Sequence, residues 1–174
     1  LRLLKIYQKK IRFIKTNYMD SKKKFMLRAI ELSIKSASTD GGPFGCVIVK
    51  DNIIIAEGFN RVTSLNDPIA HGEIVAIREA CKKLNTFNLS GCELFSSCEP
   101  CPMCLSAIYW SHIDFVYYAN NREDAKKIDF DDSMIYSEIN KKVNERKIKM
   151  HQMMRKEALE AFKIWDQKSD KIKY

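Results

Sequence analysis

The sequence predicts an α/β layered domain, on three observations. Segments with apolar residues at helical spacing alternate with short apolar runs of strand length, the succession that layers helices on a sheet. The chain has 174 residues, 45% of them apolar, and a mean hydropathy of −0.32, which suits one soluble, globular domain with a buried core. Six glycines and four prolines leave no low-complexity linker, and the sequence shows no internal repeat. No apolar run approaches the ~18 residues of a membrane-spanning helix.

Each element has its own signal. From Lys22 to Ala37, the residues Phe25, Met26, Ala29, Ile30, Ser33 and Ala37 recur at helical spacing, and Gly41-Gly42-Pro43 closes that helix. Cys46–Val49 and Ile53–Ala56 flank Asp51-Asn52 as a hairpin. Residues 59–69 read as a loop closed by Asn66-Asp67-Pro68. Ala70–Leu84 reads as a helix with Ile74, Ile77, Cys81 and Leu84 on one stripe. Cys92–Ser97 is a short strand, Pro102–Trp110 a helix and Ile113–Ala119 another strand. A charged loop then leads to a segment over Asp131–Asn140, with a helix beginning near Ser133. Met154, Ala158, Ala161, Phe162 and Trp165 form a helical stripe in the tail, expected to be core or subunit contact.

Charge is concentrated at the start. Residues 1–24 hold nine basic side chains against Asp20, a net of +8, which leaves residues 25–174 with 21 basic and 21 acidic residues. The net charge of the body does not indicate a surface for tracking phosphates, which leaves a local patch open, and no nucleic-acid partner is expected. Residues 1–18 are read as a basic extension, and 19–174 as the folded domain. Three origins stay open for the extension: a transit-like amphipathic segment, an upstream translated stretch or a non-native leader.

Six cysteines are too few for a disulfide-stapled secreted domain, and a cytoplasmic location is expected. Three of them fall in Cys98–Cys104, which points to metal or redox chemistry. The informative pair of motifs is His71-Gly72-Glu73 at one helix start and Pro100-Cys101-Pro102-Met103-Cys104 at another. One imidazole and two thiolates supply three Zn²⁺ ligands and leave the fourth tetrahedral position for water. Two cysteines three apart at a helix N-terminus can face one ion, and the helix dipole favours their thiolates. Glu73 stands close enough to exchange a proton with that water without occupying the ion. Cys98 leaves two alternatives open: a fourth protein ligand that closes a structural zinc, or part of an iron–sulfur run lacking its last cysteine. Cys46, Cys81 and Cys92 read as small buried hydrophobes.

The H-x-E and P-C-x-x-C pair is the pattern of zinc-dependent nucleobase deaminases. From about residue 22 onward the chain resembles the cytidine-deaminase-like superfamily. Ser97–Cys104, Gly41–Gly45, Asn66-Asp67-Pro68, Ile108-Tyr109-Trp110 and Phe130-Asp131-Asp132-Ser133 are similar to those of bacterial guanine deaminases. Gly72 departs from the Ala common in the family, at roughly 1 kcal/mol in helix stability.

The resemblance implies a three-layer α/β/α fold with a central mixed sheet of five strands. It implies zinc-dependent hydrolysis of guanine to xanthine and ammonia, with Glu73 as the proton carrier. Asn60 would hydrogen-bond the base and Phe44 would sit near its ring, unless Phe44 is an ordinary core aromatic. Asp132 would assist catalysis and substrate binding, with helix capping by the Asp131-Asp132 pair as the plain alternative. Terminal Tyr174, at the end of a lid over about 141–174, would close a neighbouring subunit's site in a domain-swapped homodimer. The rivals are a tRNA adenosine deaminase, a free cytosine or cytidine deaminase, and a non-catalytic zinc-binding partner subunit.

Overall fold

The computed structural model describes the backbone of residues 2–173 and the side chains of residues 20–173. The chain divides into two compact units, Leu1–Asp131 and Asp132–Tyr174.

In the first unit, helix α1 runs over Arg2–Ala37, longer at its start than the expected Lys22–Ala37. No proline or glycine interrupts Arg2–Ala37, so nothing in the backbone forces a break before Lys22. Strands β1 (Gly45–Lys50) and β2 (Ile53–Phe59) form the antiparallel hairpin. Its turn residues Asp51 and Asn52 both take positive φ, 50° and 60°, the type I′ conformation that the strand twist favours. A one-turn helix α2 (Val62–Leu65) occupies part of the expected loop. Then follow α3 (Gly72–Leu84), β3 (Cys92–Cys98), α4 (Pro102–Trp110), β4 (Phe115–Asn120) and the short α5 (Arg122–Lys126).

The sheet has four strands in the order β2-β1-β3-β4, not the five that the resemblance implied. After Asn120 the local signals are helical: the Asn121 side chain accepts from Asp124 N–H, and the Asp124 carboxylate accepts from Asn121 N–H. No fifth strand follows among the described residues.

Period-two alternation splits the core between the two faces of this sheet. Val47, Val49 and Phe95 face α1, where they pack with Phe25, Ala29 and Leu32. Cys46, Ile48 and Leu94 face the other way, toward Ala76 and Ala80 of α3 and Ile108 of α4. Helix, sheet and helices therefore form the three expected layers. Lys22 of α1 pairs with Glu93 of β3, and Arg28 with Glu57 of β2 at 2.8 Å.

Strand directions place the functional ends together. β1 is antiparallel to both β2 and β3, so β2 and β3 run the same way. α3 follows β2 and α4 follows β3, which brings both helix N-termini to the carboxyl edge of the sheet, where α/β folds build sites. The buried line of α3 is Gly72, Glu73, Ala76 and Ala80, with Ile77, Cys81 and Leu84 flanking it; Ile74 lies outside the core. Small residues take the centre because α3 packs tightly on β2. A Cβ at Gly58 would stand 2.7 Å from Ala76 N and closer still to Gly72 O.

In the second unit, α6 (Ser133–Ile139) leads through a 3₁₀ turn at Val143–Glu145 to α7 (Arg155–Gln167). The Glu138 carboxylate accepts from Lys141 Nζ and Lys147 N, each at 2.6 Å. No residue of α7 is buried; Phe162 is 72% exposed and Trp165 45%, so the tail stripe is not core. No helix among the described residues is long and apolar enough to cross a membrane.

Candidate active site

His71 is the N-cap of α3, and Glu73 lies in the first turn. Cys101 is the N-cap of α4, Pro102 the first helical residue, and Cys104 the third. N-cap and third helical residue share one face of a first turn, the geometry that also makes capping boxes, so both thiols can address one point. Neither His71 nor Cys101 caps its helix with its side chain.

His71 Nδ1 stands 3.6 Å from Cys101 Sγ and 3.6 Å from Cys104 Sγ. The three ligand atoms lie within 4.8 Å of one another. A tetrahedral zinc bonded at about 2.3 Å to sulfur and about 2.0–2.1 Å to nitrogen sets those ligands about 3.6 Å apart. The triad fits that ion in distance and in donor chemistry. Cys98 is not part of it: its thiol is buried and donates to Asn121 O at 3.7 Å. Among the described residues, neither a fourth cysteine ligand nor a three-cysteine cluster is assembled.

The electrostatics suit a metal-binding pair. A hydrogen bond from Cys104 holds the Cys101 thiol down to about 4 against its burial, with His71 adding to the shift. The same hydrogen bond, with burial and Glu73, pushes Cys104 far up. The hydrogen bond to Cys101 raises the pKa of His71. Burial raises that of Glu73, which is 6% exposed, and the hydrogen bonds it accepts oppose the rise. Its Oε1 accepts from Ser96 Oγ at 3.1 Å, and its Oε2 from Cys104 Sγ at 3.4 Å.

The backbone of Phe44 passes Gly72, the residue between His71 and Glu73, and Asn60 is tied to it. Asn60 N–H donates to Phe44 O at 2.9 Å, and a Cβ on Gly72 would stand 3.4 Å from Phe44 O. Buried Asn60 accepts at Oδ1 from Gly42 N (3.3 Å) and Val62 N (3.2 Å). With Oδ1 so engaged, its amide NH₂ is the group left to donate. Ser36 Oγ approaches both Gly42 O (2.7 Å) and Asn60 O (3.1 Å), tying these loops to the end of α1. Phe44 is half-buried, and its ring meets Phe130 edge to face at 4.9 Å.

Asp132 opens the second unit as the N-cap residue of α6, without a side-chain capping bond, while Asp131 pairs with Lys126 at 3.2 Å. Tyr174 lies outside the described residues. Sequence reasoning missed Ser96 and Ser36, and had Phe130 only as the first residue of the Phe130–Ser133 motif, without its contact to Phe44. Ser96 left a trace as the polar member of the row Cys92-Leu94-Ser96 on one strand face.

Comparison with known proteins agrees with this geometry. Residues 19–120 match the model of the cytidine and deoxycytidylate deaminase zinc-binding region. The chain is 50% identical over 151 residues to the guanine deaminase of Bacillus subtilis, covering 86% of this chain and 97% of that protein. The crystal structure of guanine deaminase from Bacillus subtilis superposes with a TM-score of 0.84 at 49% identity, over 87% of this chain and 98% of that one. A guanine deaminase structure from Nitrosomonas europaea matches at TM-score 0.60 and 36% identity, over 62% of this chain and 63% of that one. A tRNA-specific adenosine deaminase of Aquifex aeolicus is 43% identical over 98 residues, 56% of this chain and 65% of that protein. With its histidine and two cysteines gathered at paired helix N-termini, the chain belongs to the cytidine and deoxycytidylate deaminase zinc-binding family, and it is a zinc-dependent hydrolytic deaminase.

Proposed function

We propose that the protein hydrolyses guanine to xanthine and ammonia. The observation that carries this choice of base is extent. The likeness to a guanine deaminase spans 86% of the chain, whereas that to the tRNA-specific adenosine deaminase of Aquifex aeolicus spans 56%. The zero net charge over residues 25–174 also supplies no overall attraction to an anticodon stem.

In this reading His71 Nδ1, Cys101 Sγ and Cys104 Sγ hold zinc. Zinc, when bound, supplies the Lewis acidity that makes water a nucleophile near neutral pH. With Cys104 holding the ion as a thiolate, Glu73 Oε2 would be free to accept a proton from the attacking water. Glu73 then passes that proton to a ring nitrogen beside C2, takes the proton of the new C2 hydroxyl and delivers it to the amino nitrogen, so that the C2–N bond breaks and ammonia leaves as the C2 carbonyl forms. Asn60 donates from its amide to an acceptor on the base, and Phe44 flanks the ring. Asp132 assists proton handling at the purine's ring N–H groups. The tail of about 141–174, ending in Tyr174, acts as a lid over a neighbouring subunit's site in a domain-swapped homodimer. A cytoplasmic setting suits the free cysteines, among them the two thiolate ligands.

The test is ammonia release from guanine, adenine, cytosine and cytidine, with tRNA binding measured alongside. Turnover of guanine without tRNA binding is expected. Cytosine turnover without guanine turnover would overturn the substrate choice.

A further inference from the structure

Strand β3 carries two adjacent serines that do different work. Alternation puts Ser97 with Phe95 on the α1 face, where its hydroxyl accepts from Gly45 N at 3.0 Å. Ser96 falls on the opposite face, in line with Cys92 and Leu94, both fully buried against α3. A hydroxyl at the end of that apolar row, 1% exposed, is costly unless it meets a partner there. Its partner is Glu73 Oε1, at 3.1 Å.

The geometry points to Ser96 as a positioning residue that grips Glu73 by Oε1 and turns Oε2 toward the His71–Cys101–Cys104 centre. This inference rests on Glu73 being the proton carrier. Oε2 is the oxygen 3.4 Å from Cys104 Sγ, so the two carboxylate oxygens already face different neighbours. A glutamate side chain rotates about three torsions, and a wandering carboxylate meets the water in only some of its rotamers. One hydrogen bond from a rigid central strand removes that freedom. The division of labour is then fixed: Oε1 is held, and Oε2 moves the proton.

Ser96→Ala, Ser96→Thr and Glu73→Gln test this in the zinc-loaded enzyme, with kcat and KM for guanine and zinc content read together. Removing one group that orients an active-site ligand lowers activity by about 10- to 100-fold. For Ser96→Ala the loss is expected in kcat, with KM and zinc content unchanged, and Ser96→Thr, which keeps the hydroxyl, restores kcat. A second readout uses metal-free protein. Ser96→Ala should lower Tm in the native background but not in a Glu73→Ala background, where the buried hydroxyl has already lost its partner. Native kcat in Ser96→Ala beside an inactive Glu73→Gln would overturn the inference and leave the role of Glu73 standing. An equal Tm loss with and without Glu73 would also overturn it. An active Glu73→Gln would overturn the role of Glu73, and the inference with it.

Discussion

Replacing Gly58 by alanine tests whether the seating of α3 on β2 sets the catalytic geometry. Gly58 lies on β2 opposite Cys46, under the first turn of α3. An added Cβ would stand 2.7 Å from Ala76 N, where ordinary contact begins at 3.4 Å, and nearer still to Gly72 O. The helix must therefore withdraw by at least the 0.7 Å between those values. All the obstructing atoms belong to α3, and none is the yielding tip of a long side chain. α3 carries His71 and Glu73, while Cys101 and Cys104 ride on α4. The shift thus opens the 3.6 Å spacing between Nδ1 and the two sulfurs. Overpacking of this kind costs about 1–3 kcal/mol of stability. A misplacement approaching 1 Å costs about 100-fold in catalysis. Ammonia release, zinc content and thermal unfolding measured on Gly58→Ala should show all three losses together. Native zinc content and native kcat/KM would refute the coupling of helix seating to chemistry.

The remaining expectations are independent of that packing. Glu73→Gln should keep zinc and lose about 100- to 10,000-fold in kcat, by metal analysis and ammonia release; retained turnover would remove Glu73 from acid–base work. Gly72→Ala should raise stability by up to about 1 kcal/mol in denaturant unfolding with unchanged activity, because a Cβ there finds contacts no shorter than 3.4 Å. Hydrogen bonds from Arg28 hold the Glu57 carboxyl below its ordinary 4.5, so its contribution is present above that pH and is lost as pH falls through the lower folded value. Glu57→Gln should therefore unfold at a lower temperature than the native chain at about pH 6, with the difference shrinking as the pH is lowered through the acid range below 4.5. The exposure of the pair keeps this difference within about 1 kcal/mol.

Local signals with one physical cause were legible in the sequence. Pro102 is tolerated at the first helical position and nowhere deeper, and α4 has the expected bounds, Pro102–Trp110. Asp51 and Asn52 tolerate the positive φ that a two-residue hairpin needs, and the turn falls on them. The gathering of His71, Cys101 and Cys104 was legible because a histidine N-cap and a Cys-x-x-Cys first turn are local patterns, and parallel strands carry them to one edge. Features set by close approach were not. The choice of Ala76 and Ala80 over Ile74 as the buried line depends on Gly58, which lies beyond helix α2 in the sequence. Ser96 meets Glu73 across 23 residues, and Phe130 meets Phe44 across a still longer interval, contacts that no periodicity encodes. The fifth strand came from family likeness, while the residues themselves carried signals for four.

X-ray absorption at the zinc edge of the loaded protein reads whether His71, Cys101 and Cys104 leave one position on the ion open beside buried Glu73. The expected shell holds two sulfurs at about 2.3 Å, one nitrogen and one exchangeable oxygen at about 2.0–2.1 Å. A third sulfur, or four protein donors with no exchangeable oxygen, would mean a closed, structural zinc with no place for the reacting water.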